Sequence, residues 1–448
     1  MSRCLVIAFT VLLALYLALS DIKAQTTADP ALVAEILKIK AIDNHAHPSR
    51  LVSDGETDEE WDVFPFEGYE VAPPWTFPTR LRPSNPEYVG AWRALYGYRH
   101  DDMRDEHVRE LLETKQRIMR ERGDSYPSWV LDQLGIETML ANRVAMGRGL
   151  AAPRFRWVPY VDALMLPLNT EAIRRAHPKY RRFYEGEERM FKRFLVEAKL
   201  SGLPENLDEY MSKVISATLA RQKRDGALAV KFEAAYLRPL DFAEAPGDEA
   251  ARIYGQYAKG GEPPVADYKK LQDFLFRHIA REAGRLGLAV HLHVSAGAGA
   301  QFELSGSNPL LLDSVLNDIS LSRTNFVIIH GGWPYTKEVA FLLNKPNVYA
   351  DFSAQTFLLS PRKLSEVLRD WLEWYPEKVL FGTDVFPGAP QVNWEEMGWL
   401  TTSSARQALA LALTGMVNDG LITRERALDL ARMVLRENAI KLYNLKSS

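Results

Sequence analysis

The stretch "IDNHAHP", Ile42 to Pro48, sets His45 and His47 one residue apart, with Asp43 two positions earlier, just after an apolar run. Related placements recur. "LAVHLHV" carries His291 and His293, "FVIIHGGW" carries His330 ahead of two glycines, and "KVLFGTD" ends on Asp384. "LAVKFE" puts Lys231, and two residues later Glu233, into another apolar segment. Imidazole and carboxylate groups are the ligands of divalent metals of borderline softness. A single histidine in a strand is ordinarily a satisfied core residue. Here five of the nine histidines close apolar segments, and an aspartate closes another, which gives four to five ligands for one metal site. His100, His107, His177 and His278 fall in helical or inserted sequence instead. His291 sits one layer deeper than His293 and is the outlying member.

Such residues converge only if the elements carrying them do. Residues at i, i+2 and i+4 of a strand face one way, so Asp43, His45 and His47 are expected on one face. Short apolar segments at 41–47, 137–143, 155–162, 227–233, 288–294, 325–330, 346–352 and 378–384 read as buried strands. Helical patterns such as Asp267 to Leu286 and Pro361 to Trp374 separate many of them. Eight strands with helical crossovers predict an α/β fold, a TIM-type (β/α)8 barrel, whose C-terminal strand ends form the mouth of the site. Two long gaps, about 48–136 and 163–226, contain the amphipathic stretches Asp105 to Arg122 and Glu188 to Leu200, so they read as helical insertions. The first also holds "WDVFPFEGYEVAPPWTFP", which reads either as a lid over the mouth, from Trp61 to Trp75, or as core. Thr423 to Leu445 reads as a closing helix.

The N-terminus is different in kind. Met1 to Arg3 is short and basic, and Cys4 to Leu19 is nearly unbroken apolar sequence. That core of about 16 residues is short for a membrane span, which needs roughly 20. Residues 1–24 read as a secretory signal peptide, cleaved after Ser20 or Ala24, with 25–448 as one barrel domain. The expectation is an exported protein, periplasmic or secreted, with no stable membrane association after cleavage. Cys4 is the only cysteine, so the mature chain has neither a disulfide nor a thiol nucleophile. Any metal must be held by His, Asp, Glu or a lysine-derived oxygen. With a net charge of −3 and no basic cluster interleaved with aromatics, a nucleic-acid partner is not expected. A small-molecule substrate is, and a homo-oligomer is compatible with it.

The motifs resemble those of the amidohydrolase superfamily, in its amidohydrolase-related (amidohydrolase 2) branch, over essentially the whole mature chain. "IDNHAHP" is similar to that family's strand-one motif, His293 and His330 to its strand-five and strand-six ligands, and Asp384 in "FGTD" to its strand-eight aspartate. "HVSAGAGAQFELSGSNPLLLDSVL", "IIHGGWPYTKEVAFLLNKPNVYADFS" and "RALYGY" resemble the subgroup whose barrel is fused in some proteins to a glutamine synthetase domain, which is not expected among these residues. The reading that follows is a divalent metal, zinc by preference, held by His45, His47, His293, His330, Asp384 and Lys231. Asp384 would move the proton of the attacking water, and His330 or His293, if not fully engaged by metal, would polarise a carbonyl. The resemblance implies that Lys231 is N6-carboxylated in two-metal members and bridges two ions. With one ion it stays an ammonium that binds a substrate carboxylate, and Glu233 is a lesser bridging choice. Arg99, His100 and His291 are candidates for substrate binding, and Arg143 and Arg238 are further cations near predicted loops. A hydrolase of a C–N amide-type or related carbonyl-centred bond is the leading expectation. A decarboxylase of the same branch is the alternative, and a binding module without turnover is the third class.

Overall fold

The structure, a computed structural model, describes residues 27–52, 56–64, 77–297, 299 and 302–446. The signal-like segment and most of the stretch from Trp61 to Trp75 lie outside the described residues. All eight expected strands are present: β1 (Ala41–Ala46), β2 (Ile136–Asn142), β3 (Phe155–Val158), β4 (Ala229–Phe232), β5 (Ala289–His293), β6 (Phe326–Ile329), β7 (Val348–Asp351) and β8 (Val379–Leu380). Every pairing is parallel, in the runs β1-β2-β3 and β4-β5-β6-β7-β8.

Backbone hydrogen bonds join the two runs at both seams. Between β3 and β4, Leu228 N–H donates to Trp157 O (3.2 Å), Lys231 N–H to Pro159 O (2.8 Å) and Val161 N–H to Lys231 O (3.0 Å). Between β8 and β1, Asn44 N–H donates to Phe381 O (2.8 Å), Asp384 N–H to His45 O (2.8 Å) and His47 N–H to Val385 O (2.6 Å). The ring is therefore closed. Its interior shows the same thing, since Ile42, Leu140, Val158, Ala229, Ala289, Val327, Tyr349 and Leu380, one from each strand, pack in one cluster with Ala439 and Tyr443. Those last two residues come from the helix Asn438–Tyr443, so the closing tail plugs the N-terminal end of the barrel.

The crossover helices follow their local signals. Pro361–Trp374 starts at Ser360, whose side chain caps Lys363 N, has proline in its first turn, and turns Leu364, Leu368, Trp371 and Leu372 inward at helical spacing. Both insertions are helical. The first contributes Glu87–Tyr96, Asp105–Arg122 and Tyr126–Leu134, and the second contributes Arg181–Glu197 and Ala217–Arg224 among others. No helix of the described residues is long and apolar enough to cross a membrane.

A buried charge fastens the first insertion to the barrel. Lys115 Nζ, from Asp105–Arg122, lies 2.9 and 3.0 Å from the Glu396 carboxylate and 3.4 Å from Glu395, at the start of the helix Trp394–Asn418. Tyr126 OH donates to Glu395 at 2.9 Å. Both carboxylates are buried, and burial pushes Glu396 up to about 7 even against Lys115. Removing one partner of a buried ion pair costs about 3–5 kcal/mol, because the other charge is left uncompensated. Lys115→Met is therefore expected to lower the melting temperature clearly in calorimetry. An unchanged value would mean that the insertion is held by its apolar contacts alone.

Candidate metal centre

Five strand ends converge at the C-terminal mouth. β1 brings His45 and His47, β4 brings Lys231 and Glu233, β5 brings His293, and the exits of β6 and β8 bring His330 and Asp384. Asp384 Oδ1 lies 3.1 Å from His45 Nε2 and 3.6 Å from His47 Nε2, and its Oδ2 lies 3.7 Å from His330 Nδ1. His330 Nε2 is 3.3 Å from His293 Nδ1. Lys231 Nζ stands 3.4 Å from both His45 Nε2 and Glu233 Oε1. The His45 side chain is fully enclosed, whereas Asp384 keeps 15% of its side chain open, so the carboxylate faces the mouth.

Local backbone makes this convergence. β1 does not keep strict alternation, because its register against β2 shifts between Asp43 and Ala46. The expectation that Asp43 shares a face with the two histidines is thereby corrected. Asp43 turns to the neighbouring strand end, where it accepts from Thr383 N–H (3.0 Å) and Thr383 Oγ1 (2.6 Å). It locks the seam and stays out of the ligand cluster. His330 and Asp384 both adopt left-handed backbone, with φ of 63° and 59°. That conformation is costly for residues other than glycine and persists where the surroundings enforce it. For His330 the enforcers are visible: its N–H donates to Asp351 Oδ1 (2.9 Å), its carbonyl accepts from Gln355 Nε2 (3.0 Å), and its Nδ1 meets Ser353 Oγ (3.0 Å). The glycine after it is required as well, since a Cβ on Gly331 would come within 2.1 Å of the Trp371 ring.

Burial is the largest influence on the shifted histidines and carboxylates here. It holds His45, His293 and His330 well below their ordinary range and His47 down to about 3, with Lys231 adding to the effect in each. The imidazoles are neutral and each offers a lone pair. Burial lifts Asp384 well above the usual carboxylate range, with Lys231 opposing. The buried ring nitrogens His45 Nδ1 and His293 Nε2 have no hydrogen-bond partner among the described residues. Neutral imidazoles converging on a carboxylate, with ring nitrogens left over, fit a divalent cation.

His45, His330 and Asp384 form one group with metal-ligand spacing, and His47, Asp62 and Glu233 form a second beside it. In the second, Tyr160 OH donates to Asp62 Oδ2 (2.9 Å) and lies 3.0 Å from His47 Nδ1. Asp162 accepts from the Glu233 backbone N–H at 2.8 Å. Burial raises Asp62 to about 6 and Glu233 to about 7. A cation lowers such values, so loading the metal-free protein near pH 6 should release protons, and the release should fade above about pH 8. Calorimetry in buffers of different ionisation enthalpy reads this directly. Proton-neutral binding would exclude these two carboxylates from the ligand set.

None of the remaining sequence candidates is bonded into this cluster among the described residues. His291 faces the barrel interior below this cluster, with Nε2 2.7 Å from Tyr443 OH. His100 pairs with Glu110 (2.9 Å) and stacks on His107, and Arg99 is exposed next to it. Arg143 is buried and used up by Asp58 and the carbonyl of Pro48, so it anchors the loop after β1 and is not free for a substrate carboxylate. Arg238 is likewise held by Asp273 and Gln272. Asp62 and Tyr160 were not singled out from the sequence. Tyr160 had a signal, a polar aromatic inside an expected strand; Asp62 lies in a non-periodic insertion, where the pointer was the reading of Trp61 to Trp75 as a lid over the mouth.

The family model described as Amidohydrolase matches residues 167–445. The chain belongs to the amidohydrolase family. The amidohydrolase match begins after β3 and takes in the elements that carry Lys231, His293, His330 and Asp384. Protein fluG of Emericella nidulans is 27% identical over 256 residues, which is 54% of this chain and 28% of that protein, so the chain spans well under a third of this relative. Among solved structures, glucuronate isomerase from Caulobacter crescentus superposes with a TM-score of 0.61 at 13% identity, covering 93% of this chain and 94% of its own. A Lactobacillus casei ATCC 334 protein, described provisionally as a metal-dependent hydrolase, gives 0.59 at 16% identity, covering 92% and 97%. At such identities these neighbours share the fold.

Proposed function

We propose that this chain is a metal-dependent hydrolase that cleaves a C–N amide-type or related carbonyl-centred bond of a small molecule with water. The observation that carries the reading is the Asp384 carboxylate, open to the mouth and within 3.1–3.7 Å of ring nitrogens from three strand-end histidines. It is a base placed beside a ligand set. A divalent cation held there, zinc by the nature of the donors, would supply a Lewis acid and lower the pKa of water from about 15.7 to near 7. His45, His47, His293, His330 and Asp384 are the residues that would hold it, with Asp62 and Glu233 available to a second ion. Asp384 takes the proton of the attacking water and returns it to the leaving group. Whichever of His330 and His293 the ion does not fully engage steadies the substrate oxygen as charge develops on it.

The number of ions turns on Lys231. As an ammonium it pairs with Glu233, which would suit one ion; carboxylated, it would add oxygen donors that suit two. Native mass spectrometry distinguishes these by the mass of one added carbon dioxide. Metal analysis followed by assay against N-acyl amino acids, dipeptides and lactones tests the function. Carbon dioxide release without water uptake would replace the hydrolase with a decarboxylase. Export is part of the same proposal and rests on Met1 to Ala24. Mass spectrometry of the native protein should find an N-terminus near Asp21 or Gln25, whereas intact Met1 in a membrane fraction would favour an anchor.

A further inference from the structure

At the end of the barrel opposite the metal centre lies a cleft of about 480 Å³, bordered by the starts of β4, β5 and β6 and by the chain around Tyr443. Three cations line it, Arg156, Lys223 and Arg323, together with Asn325 and Asn444, and none of the described lining residues is acidic. This is unusual within the molecule, where most arginines meet a carboxylate. Arg156 Nη2 reaches only the Gly226 carbonyl at 3.4 Å, Lys223 Nζ reaches the Gly287 carbonyl at 3.1 Å, and Arg323 forms no described hydrogen bond or ion pair. Arg156 and Lys223 are half-buried, so their charges are poorly screened. Burial holds both below their ordinary ranges, and in Lys223 the Arg156 charge adds to the effect. The N-terminal face of such a barrel serves stability, and like charges gathered without a counter-ion oppose stability.

We infer that this cleft is a binding site for a small oxyanion carrying two charges, a phosphate group, with Arg156, Lys223 and Arg323 as its cations. Guanidinium forks match phosphate oxygens pairwise, lysine adds a point charge, and the two asparagine amides add neutral donors. The cleft has room beyond the phosphate, so a phosphate ester fits as well as the free ion.

Isothermal titration of the metal-loaded protein with inorganic phosphate, and separately with glycerol phosphate, tests this. Saturable binding is expected for both, weakened roughly tenfold or more in Arg156→Gln/Arg323→Gln, with metal content and turnover unchanged. Arg323→Glu, at an exposed position that cannot threaten folding, should weaken binding on its own. Tighter binding of the ester would identify a phosphorylated small molecule as the ligand, and equal binding would identify free phosphate. Affinity unchanged in both variants would place the anion at the metal centre or on unspecific surface and overturn the inference, as would the absence of saturable binding.

Discussion

Asp384→Asn should lower kcat by about 100-fold or more and leave most of the bound metal in place. The magnitude is that of losing a general acid–base group. The substitution is unusually clean here because of the backbone. Asp384 has φ of 59°, a conformation that asparagine tolerates several-fold better than most residues, and its N–H is fixed by the His45 carbonyl. Asparagine therefore keeps the turn, the shape and one acceptor oxygen, and removes only the charge and the basicity. Without metal, burial raises the Asp384 pKa; a neighbouring cation acts the other way and holds the carboxylate ready to accept a proton at neutral pH. Metal content measured beside the pH–rate profile separates the roles. A variant with near-normal kcat from about pH 5 to 9 would transfer the proton to His293 or His330. One that lost its metal would make Asp384 chiefly a ligand.

The double variant His45→Ala/His47→Ala should bind no metal and have no measurable turnover. The two rings do different work. His45 lies between Asp384 and Lys231, while His47 presents Nε2 to Asp384 and Nδ1 to Tyr160 and Asp62, so it touches both ligand groups. Losing both leaves His293, His330 and the carboxylates near Lys231 but takes away the imidazoles that link the two groups. Because the surrounding strand bonds are made by backbone, the fold should survive, which circular dichroism can check. Full metal occupancy in a folded double variant would refute this assignment of the centre.

Much of this was legible in the sequence because a parallel barrel buries both faces of its strands, which then read as unbroken apolar segments. Strand lengths were less legible. β8 was expected over 378–384 but regular pairing with β7 stops at Leu380, because beyond it the chain bonds to β1 and turns left-handed at Asp384. The histidines and Asp384 stood out because polar groups at the ends of apolar segments need a reason. Asp43 misled because a register shift breaks the alternation on which face-sharing depends. Asp62 was not singled out because an insertion carries it to the site through loop geometry, which leaves no period to read.

The seam between β8 and β1 has a kinetic meaning. Thr383 and Asp43, which bond across it, are 340 residues apart in the chain. His45 and His47 are made well before Asp384, so the proposed ligand set is incomplete until the two ends of the barrel meet. Contacts of such long range form late, since the cost of closing the loop precedes any gain. Metal capture would then report the final act of folding. A nascent or half-made chain could not hoard the ion, and an ion once seated would act as a latch on the last joint to close.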